Sequence, residues 1–163
     1  MPWVWISLGS NLEREASLRG AVRRLRSGAG DLVLSSVYES AAVGAAGPPF
    51  YNLVAGFETD LGVAALNAWL RDIETAFGRE RGADKNAPRT LDLDLLTYGD
   101  RVGVIDGYVL PRDDILQYAF VLAPLAEVAP NQRHPLDGRS YAMLWDAFPQ
   151  AEQPLARLPF RFD

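Results

Sequence analysis

Between Leu91 and Leu96 the chain reads LDLDLL, a strict alternation of leucine and aspartate. A period of two belongs to a strand, so Leu91, Leu93 and Leu95 share one face and Asp92 and Asp94 the other. Aspartate is a poor strand former, and its repetition needs a reason. Two carboxylates roughly 6–7 Å apart, at about 3.3 Å per residue, can share a hard cation. Just upstream, Arg79, Arg81, Lys85 and Arg89 stand against Glu80 and Asp84, a local charge of 4 − 2 = +2 in a chain of net charge −5. The guanidinium fork grips phosphate oxygens in pairs. A carboxylate pair beside an arginine-rich loop therefore reads as a metal and polyphosphate site. An edge strand with one solvated face is the competing reading of the same residues.

The remaining composition narrows the class. A chain of 163 residues can bury about 70% of its unfolded surface, which predicts one domain over residues 1–163. Cysteine is absent, which removes disulfides and thiolate-ligated metals. No apolar run reaches the roughly 18 residues of a membrane span, and no basic leader precedes Trp3. The expectation is a cytoplasmic protein, a monomer or weak dimer. Its acidic balance argues against nucleic acid as a partner.

In chain order, Trp3–Leu8 reads as a buried strand, followed by Gly9-Ser10-Asn11 as a capping turn and a helix carrying Leu18, Ala21, Val22 and Leu25. Leu32–Tyr38 is a second strand, the Ala/Gly/Pro-rich stretch Glu39–Pro49 a loop, and Phe50–Thr59 a third strand. Thr59 or Asp60 is expected to cap a second helix with Leu66, Trp69, Leu70 and Ile73 on its buried face. The Leu-Asp strand follows, then weaker strand signals at 102–105 and 108–110. A short helix at Tyr118–Val128, broken by Pro124, and a last one at Tyr141–Phe148 complete the pattern. His134 reads as a solvated loop residue, and the tail carries no signal. The order β-α-β-β-α-β predicts an α+β, ferredoxin-like plait: an antiparallel sheet with helices packed on it, plus C-terminal additions.

Several separated motifs together resemble one family. LGSNL (8–12), FYNLVAGFET (50–59), IETAFGRER (73–81), PRTLDLDLLTYG (88–99) and FVLAPLAEVAP (120–130) occur in the order of the 6-hydroxymethyl-7,8-dihydropterin pyrophosphokinases of folate biosynthesis. The resemblance implies Mg2+-dependent transfer of pyrophosphate from ATP to a pterin alcohol, with two ions expected. It implies Asp92 and Asp94 as metal ligands, and Arg79 and Arg81 as catalytic residues neutralising the transferred group. Glu74, Arg89 and Arg112 would contact ATP. Phe50 and Phe120 would sandwich the pterin, Asn52 would read its amide edge, and Ser40, Ala41 and Val43 would line it.

Departures from the family pattern cluster on the nucleotide side. Asn86 stands where a Trp is common, Gly107 and Val109 where an Arg and a Thr are, Arg112 where a His follows proline, and Tyr118 near the place of an Arg. The alternative reading is a diverged paralogue that binds pterin without catalysis or acts on a related alcohol.

Overall fold

The computed structural model describes residues 1–41, 48–77 and 91–162. Its central sheet is built from β1 (Trp3–Ser10), β2 (Val33–Leu34), β3 (Val37–Ser40), β4 (Phe50–Glu58) and β5 (Asp92–Tyr98). Helix α1 (Arg14–Ala29) joins β1 to β2, and α2 (Val63–Ala76) follows β4. The sheet order is β5-β1-β4-β3, with β2 also on β4 and every pairing antiparallel. This is the arrangement a ferredoxin-like β-α-β-β-α-β order demands. The second expected strand is split: Ser35 Oγ accepts a hydrogen bond from Val54 N at 2.9 Å and Ser36 turns to Glu127, separating β2 from β3.

Alternation sorts the sheet into two faces. Val4, Ile6, Leu8, Leu53, Ala55, Phe57, Leu91, Leu93 and Leu95 join Leu18, Leu25, Leu66, Leu70 and Ile73 in one core under α1 and α2. Each fully buried leucine there contributes about 2 kcal/mol. On the opposite face Trp5, Val54 and Leu96 pack against Ile115, Val121, Leu122, Leu125, Tyr141 and Leu144. That second core belongs to α3 (Asp114–Gln117), α4 (Ala119–Val128) and α5 (Tyr141–Ala147), so helices lie on both faces. Between β5 and α3, β6 (Gly103–Ile105) and β7 (Tyr108–Leu110) form a separate hairpin. Its turn residues Asp106 and Gly107 both have positive φ, 53° and 86°, as a primed hairpin turn requires.

Several local expectations are corrected. Ser10 belongs to β1, and α1 is preceded by Glu13 with no side-chain cap. Helix α2 is preceded by Gly62, while Asp106 of the distant hairpin accepts the Ala64 N–H at 3.2 Å. Pro124 lies inside a continuous α4, where packing against the sheet holds the helix through the missing N–H. The tail adds β8 (Ala156–Leu158) to the outer edge of β3. Glu127 of α4 ties it there, accepting from Ser36 N, Ser36 Oγ, Tyr38 Oη and the Arg157 guanidinium. Burial and this bond to Glu127 push the Tyr38 phenol upward. No helix among the described residues is long and apolar enough to cross a membrane.

His134 is buried, not solvated. Its Nδ1 accepts the N–H groups of Leu136 (3.2 Å) and Asp137 (2.9 Å), and its ring meets Tyr141 edge-on. Burial lowers its pKa, partly opposed by Asp137. The unfolded chain therefore takes up this proton first as pH falls, so the stabilisation is complete above about pH 6.5 and is lost below it. His134→Asn, whose Oδ1 can accept the same two N–H groups, should lose that dependence. Thermal melts at pH 7.5 and 5.5 should show the wild type falling further than the variant.

Candidate functional site

The two faces of β5 have different fates. Leu93 and Leu95 enter the helical core, and Asp92 and Asp94 point to the opposite face at its end not covered by α3–α5. The β1 register places Gly9 opposite Asp92 and Ser7 opposite Asp94. On its other side Gly9 pairs with Asn52 of β4, and Asn52 in turn with Tyr38 of β3. Asn52 and Asp92 therefore flank a residue with no side chain, their backbones about 10 Å apart across two interstrand spacings. A Cβ on Gly9 would stand 3.3 Å from Asn52 Oδ1 and 3.5 Å from the Phe50 ring. The bare backbone leaves a lane between a polar–aromatic end and a carboxylate end.

At the first end, Asn52 is buried and its Nδ2 donates to Ser40 Oγ at 2.7 Å. Its Oδ1 meets no donor among the described residues and faces the Gly9 lane. Phe50 is half-buried beside it, and Ala41 is exposed at the end of β3. Phe120, half-buried at the start of α4, stacks on Tyr118 with centroids 5.0 Å apart and planes 18° apart. Phe50 and Phe120 make no ring contact with each other. Val43 lies outside the described residues, as do Arg79, Arg81, Asn86 and Arg89.

At the second end, Asp94 lies 3.7 Å from Arg71 Nη2 and 3.8 Å from Arg112 Nη2. Burial raises its pKa, Asp92 adds to the rise, and Arg112 and Arg71 only partly offset them, leaving it at about 6. Burial also disfavours the Arg112 charge, but Asp94 and Asp114 outweigh it, with Asp114 Oδ2 3.1 Å from Arg112 Nε. Asp94 is thus a carboxylate whose charge Arg112 and Arg71 balance only in part. Among the described residues no group of three or more His, Cys, Asp or Glu can hold a metal. Two carboxylates without a third suit magnesium, which takes few carboxylates and completes its shell with phosphate oxygens and water. Beside Asp94 opens a cleft of about 460 Å³, lined by Asn67, Arg71, Tyr108, Arg112 and Asp114, within the size range of nucleotide-sized ligands. Gly107 and Val109, two of the departures from the family pattern, line the same cleft.

Glu74, expected at the nucleotide, is placed differently. Its side chain is 2% exposed; Oε1 pairs with Arg71 at 2.8 Å and Oε2 accepts the Leu93 N–H at 2.7 Å. Arg71 also donates to the Leu93 carbonyl. Glu74 thus fastens α2 to β5 between the two aspartates and orients Arg71 towards Asp94. Sequence offers Arg71 only as a surface ion-pair partner for Glu74 and does not place it at Asp94. Its only signal is a spacing of three from Glu74.

A family model described as 7,8-dihydro-6-hydroxymethylpterin-pyrophosphokinase matches residues 5–130. A 2-amino-4-hydroxy-6-hydroxymethyldihydropteridine pyrophosphokinase of Pseudomonas aeruginosa is 37% identical over 161 residues, covering 96% of each chain. One from Synechocystis sp. is 37% identical over 142 residues, covering 85% of this chain and 72% of that one. The folic acid synthesis protein fol1 of Pneumocystis carinii is 34% identical over 146 residues, 88% of this chain but only 20% of that longer protein. In structure, a Plasmodium falciparum HPPK-DHPS superimposes with a TM-score of 0.72 at 12% identity, covering 89% of this chain and 45% of the other. The chain belongs to the 7,8-dihydro-6-hydroxymethylpterin pyrophosphokinase family.

Removing Glu74 leaves the buried Leu93 N–H without its acceptor and takes from Arg71 its nearest carboxylate. Breaking such a pair costs about 3 kcal/mol, which for a chain of this size lowers Tm by about 8 °C. Glu74→Ala should show this in a thermal melt, and a fall of under 2 °C would deny Glu74 its fastening role.

Proposed function

We propose that this member of the family transfers the terminal pyrophosphoryl group of ATP to the hydroxymethyl oxygen of 6-hydroxymethyl-7,8-dihydropterin along the lane over Gly9. The observation that carries this reading is the row Asn52–Gly9–Asp92, which sets a hydrogen-bonding edge reader and a carboxylate pair either side of open backbone. In the reaction the pterin oxygen bonds to the β-phosphorus of ATP, the bond from that phosphorus to the α-phosphate oxygen breaks, and AMP leaves.

Such transfers need positioning and charge stabilisation more than covalent help from the protein. Asn52 Oδ1, with Nδ2 committed to Ser40, is free to accept from a pterin N–H. Phe50 supplies one aromatic face and Phe120, backed by Tyr118, a second. Ala41 and Val43 are assigned to the pterin's apolar wall. Asp92 and Asp94 hold magnesium, two ions in the full complex, which neutralises phosphate charge when bound. Arg112 and Arg71 line the 460 Å³ cleft beside Asp94, where the nucleotide phosphates would lie. Arg112 provides cationic charge where the family commonly has histidine, with a fork geometry rather than a single nitrogen. Arg79 and Arg81 are assigned to the transferred group, and Arg89 to nucleotide or phosphate.

The chain should release AMP from ATP only when magnesium and the reduced hydroxymethylpterin are both present. Asp92→Asn and Asp94→Asn should each lower kcat by about a thousandfold, because metal-borne stabilisation worth several kcal/mol is lost. A coupled assay for AMP measures this directly. Unchanged turnover in both variants would remove the metal assignment.

A further inference from the structure

Behind the pterin end of the lane, on the opposite face of the sheet, Arg14 makes three contacts that the reaction scheme does not use. Its Nη1 donates to the Pro49 carbonyl at 3.1 Å and lies 3.5 Å from Glu39 Oε2. Its guanidinium carbon stands 4.1 Å over the centre of the Tyr51 ring. Glu39 and Tyr51 are a directly opposed pair at the end of the β3–β4 ladder, and the next and last pair is Ser40 with Phe50. Arg14, the first residue of α1, therefore holds both strand ends at the register step where the ligand-facing side chains emerge.

We propose that Arg14 is a positioning residue for the pterin site, acting through Glu39 and Tyr51 to fix Ser40, Phe50 and Asn52 on the other face. The inference rests on the pterin reading above. Alternation transmits the effect: Glu39 and Tyr51 are bonded along the chain to Ser40 and to both Phe50 and Asn52, so a shift of the back pair displaces the front one. Ser40 Oγ, 2.7 Å from Asn52 Nδ2, is what leaves Oδ1 facing the lane, and splaying β3 from β4 breaks that bond. The guanidinium shape matters as well as its charge. One flat group stacks on Tyr51 while its edge serves Pro49 and Glu39, a combination an ammonium cannot reproduce. Arg14 touches none of the nucleotide-side residues Arg71, Asp94 or Arg112, so its influence falls on one substrate only.

Arg14→Ala, Arg14→Lys and Glu39→Gln are compared with wild type by steady-state AMP assay and by titration calorimetry with the dihydropterin alcohol and, separately, with magnesium and a non-hydrolysable ATP analogue. Losing a preorganised contact set should raise the pterin KM and Kd of Arg14→Ala by about tenfold, with the ATP-analogue Kd unchanged. Arg14→Lys should recover part of that loss and Glu39→Gln should show a smaller one. A pterin Kd within twofold of wild type in Arg14→Ala overturns the inference, as does an equal weakening towards both ligands, which marks a purely structural role. A wild type that turns over neither substrate overturns the pyrophosphokinase reading itself, and the inference with it.

Discussion

The repulsion between Asp92 and Asp94 is the constraint to which the rest of the site answers. Strand alternation forces the two carboxylates onto one face, and partial burial raises the cost of charging Asp94 there. Among the described residues Arg71 and Arg112 offset Asp94 only partly, each at nearly 4 Å. What holds the strand in place is on the other side. Leu93 and Leu95 are locked into the helical core, and Glu74 grips the Leu93 N–H from α2. A fold that stabilises β5 from behind can tolerate an electrostatically unfavourable arrangement in front, and a bound cation relieves that repulsion.

The same division runs through the whole sheet. Its helical face is closed by α1 and α2, and half of the other face is closed by α3–α5. The uncovered half carries every described residue assigned to substrate on the sheet: Ser40, Phe50, Asn52, Asp92 and Asp94. Gly9 separates the aromatic end from the carboxylate end because any side chain there would press on Asn52 and Phe50. Arg112 reaches the carboxylate end from the loop after the β6–β7 hairpin, whose Asp106 also braces the start of α2. The cleft beside Asp94, the carboxylate pair and the Asn52 end thus all border one sheet.

Much of this could be read from the chain because its signals are local. LDLDLL declares its two faces by period alone, and the leucine and isoleucine spacing of α1 and α2 declares their buried sides. Phe50 and Asn52, two positions apart in β4, share a face by the same strand period. Several features that the sequence does not declare depend on partners elsewhere in the chain. The resemblance puts Glu74 at the nucleotide, and nothing in the sequence marks Leu93, 19 positions away, as the N–H that its carboxylate accepts. The tail lacked a signal because β8 is held by Glu127 and β3, not by its own propensity. His134 looked solvated because its burial comes from Tyr141 and its own turn. Arg14 carries no sequence signal because an arginine on a helix is usually a solvated charge.

The electrostatic claim at the centre is open to one direct measurement. Asp94 carries a folded-state pKa of about 6, above its usual value, so its ionisation opposes folding above that pH and ceases to matter when both states are protonated. Asparagine mimics the neutral form. In the magnesium-free protein at pH 7.5, Asp94→Asn should melt about 5 °C higher than wild type, on the order of 2 kcal/mol, with the gain vanishing towards pH 4. A variant that melts lower than wild type at pH 7.5 would contradict the account, because Asp94 would then be a stabilising partner of Arg71 and Arg112 rather than a charge held in readiness for a cation.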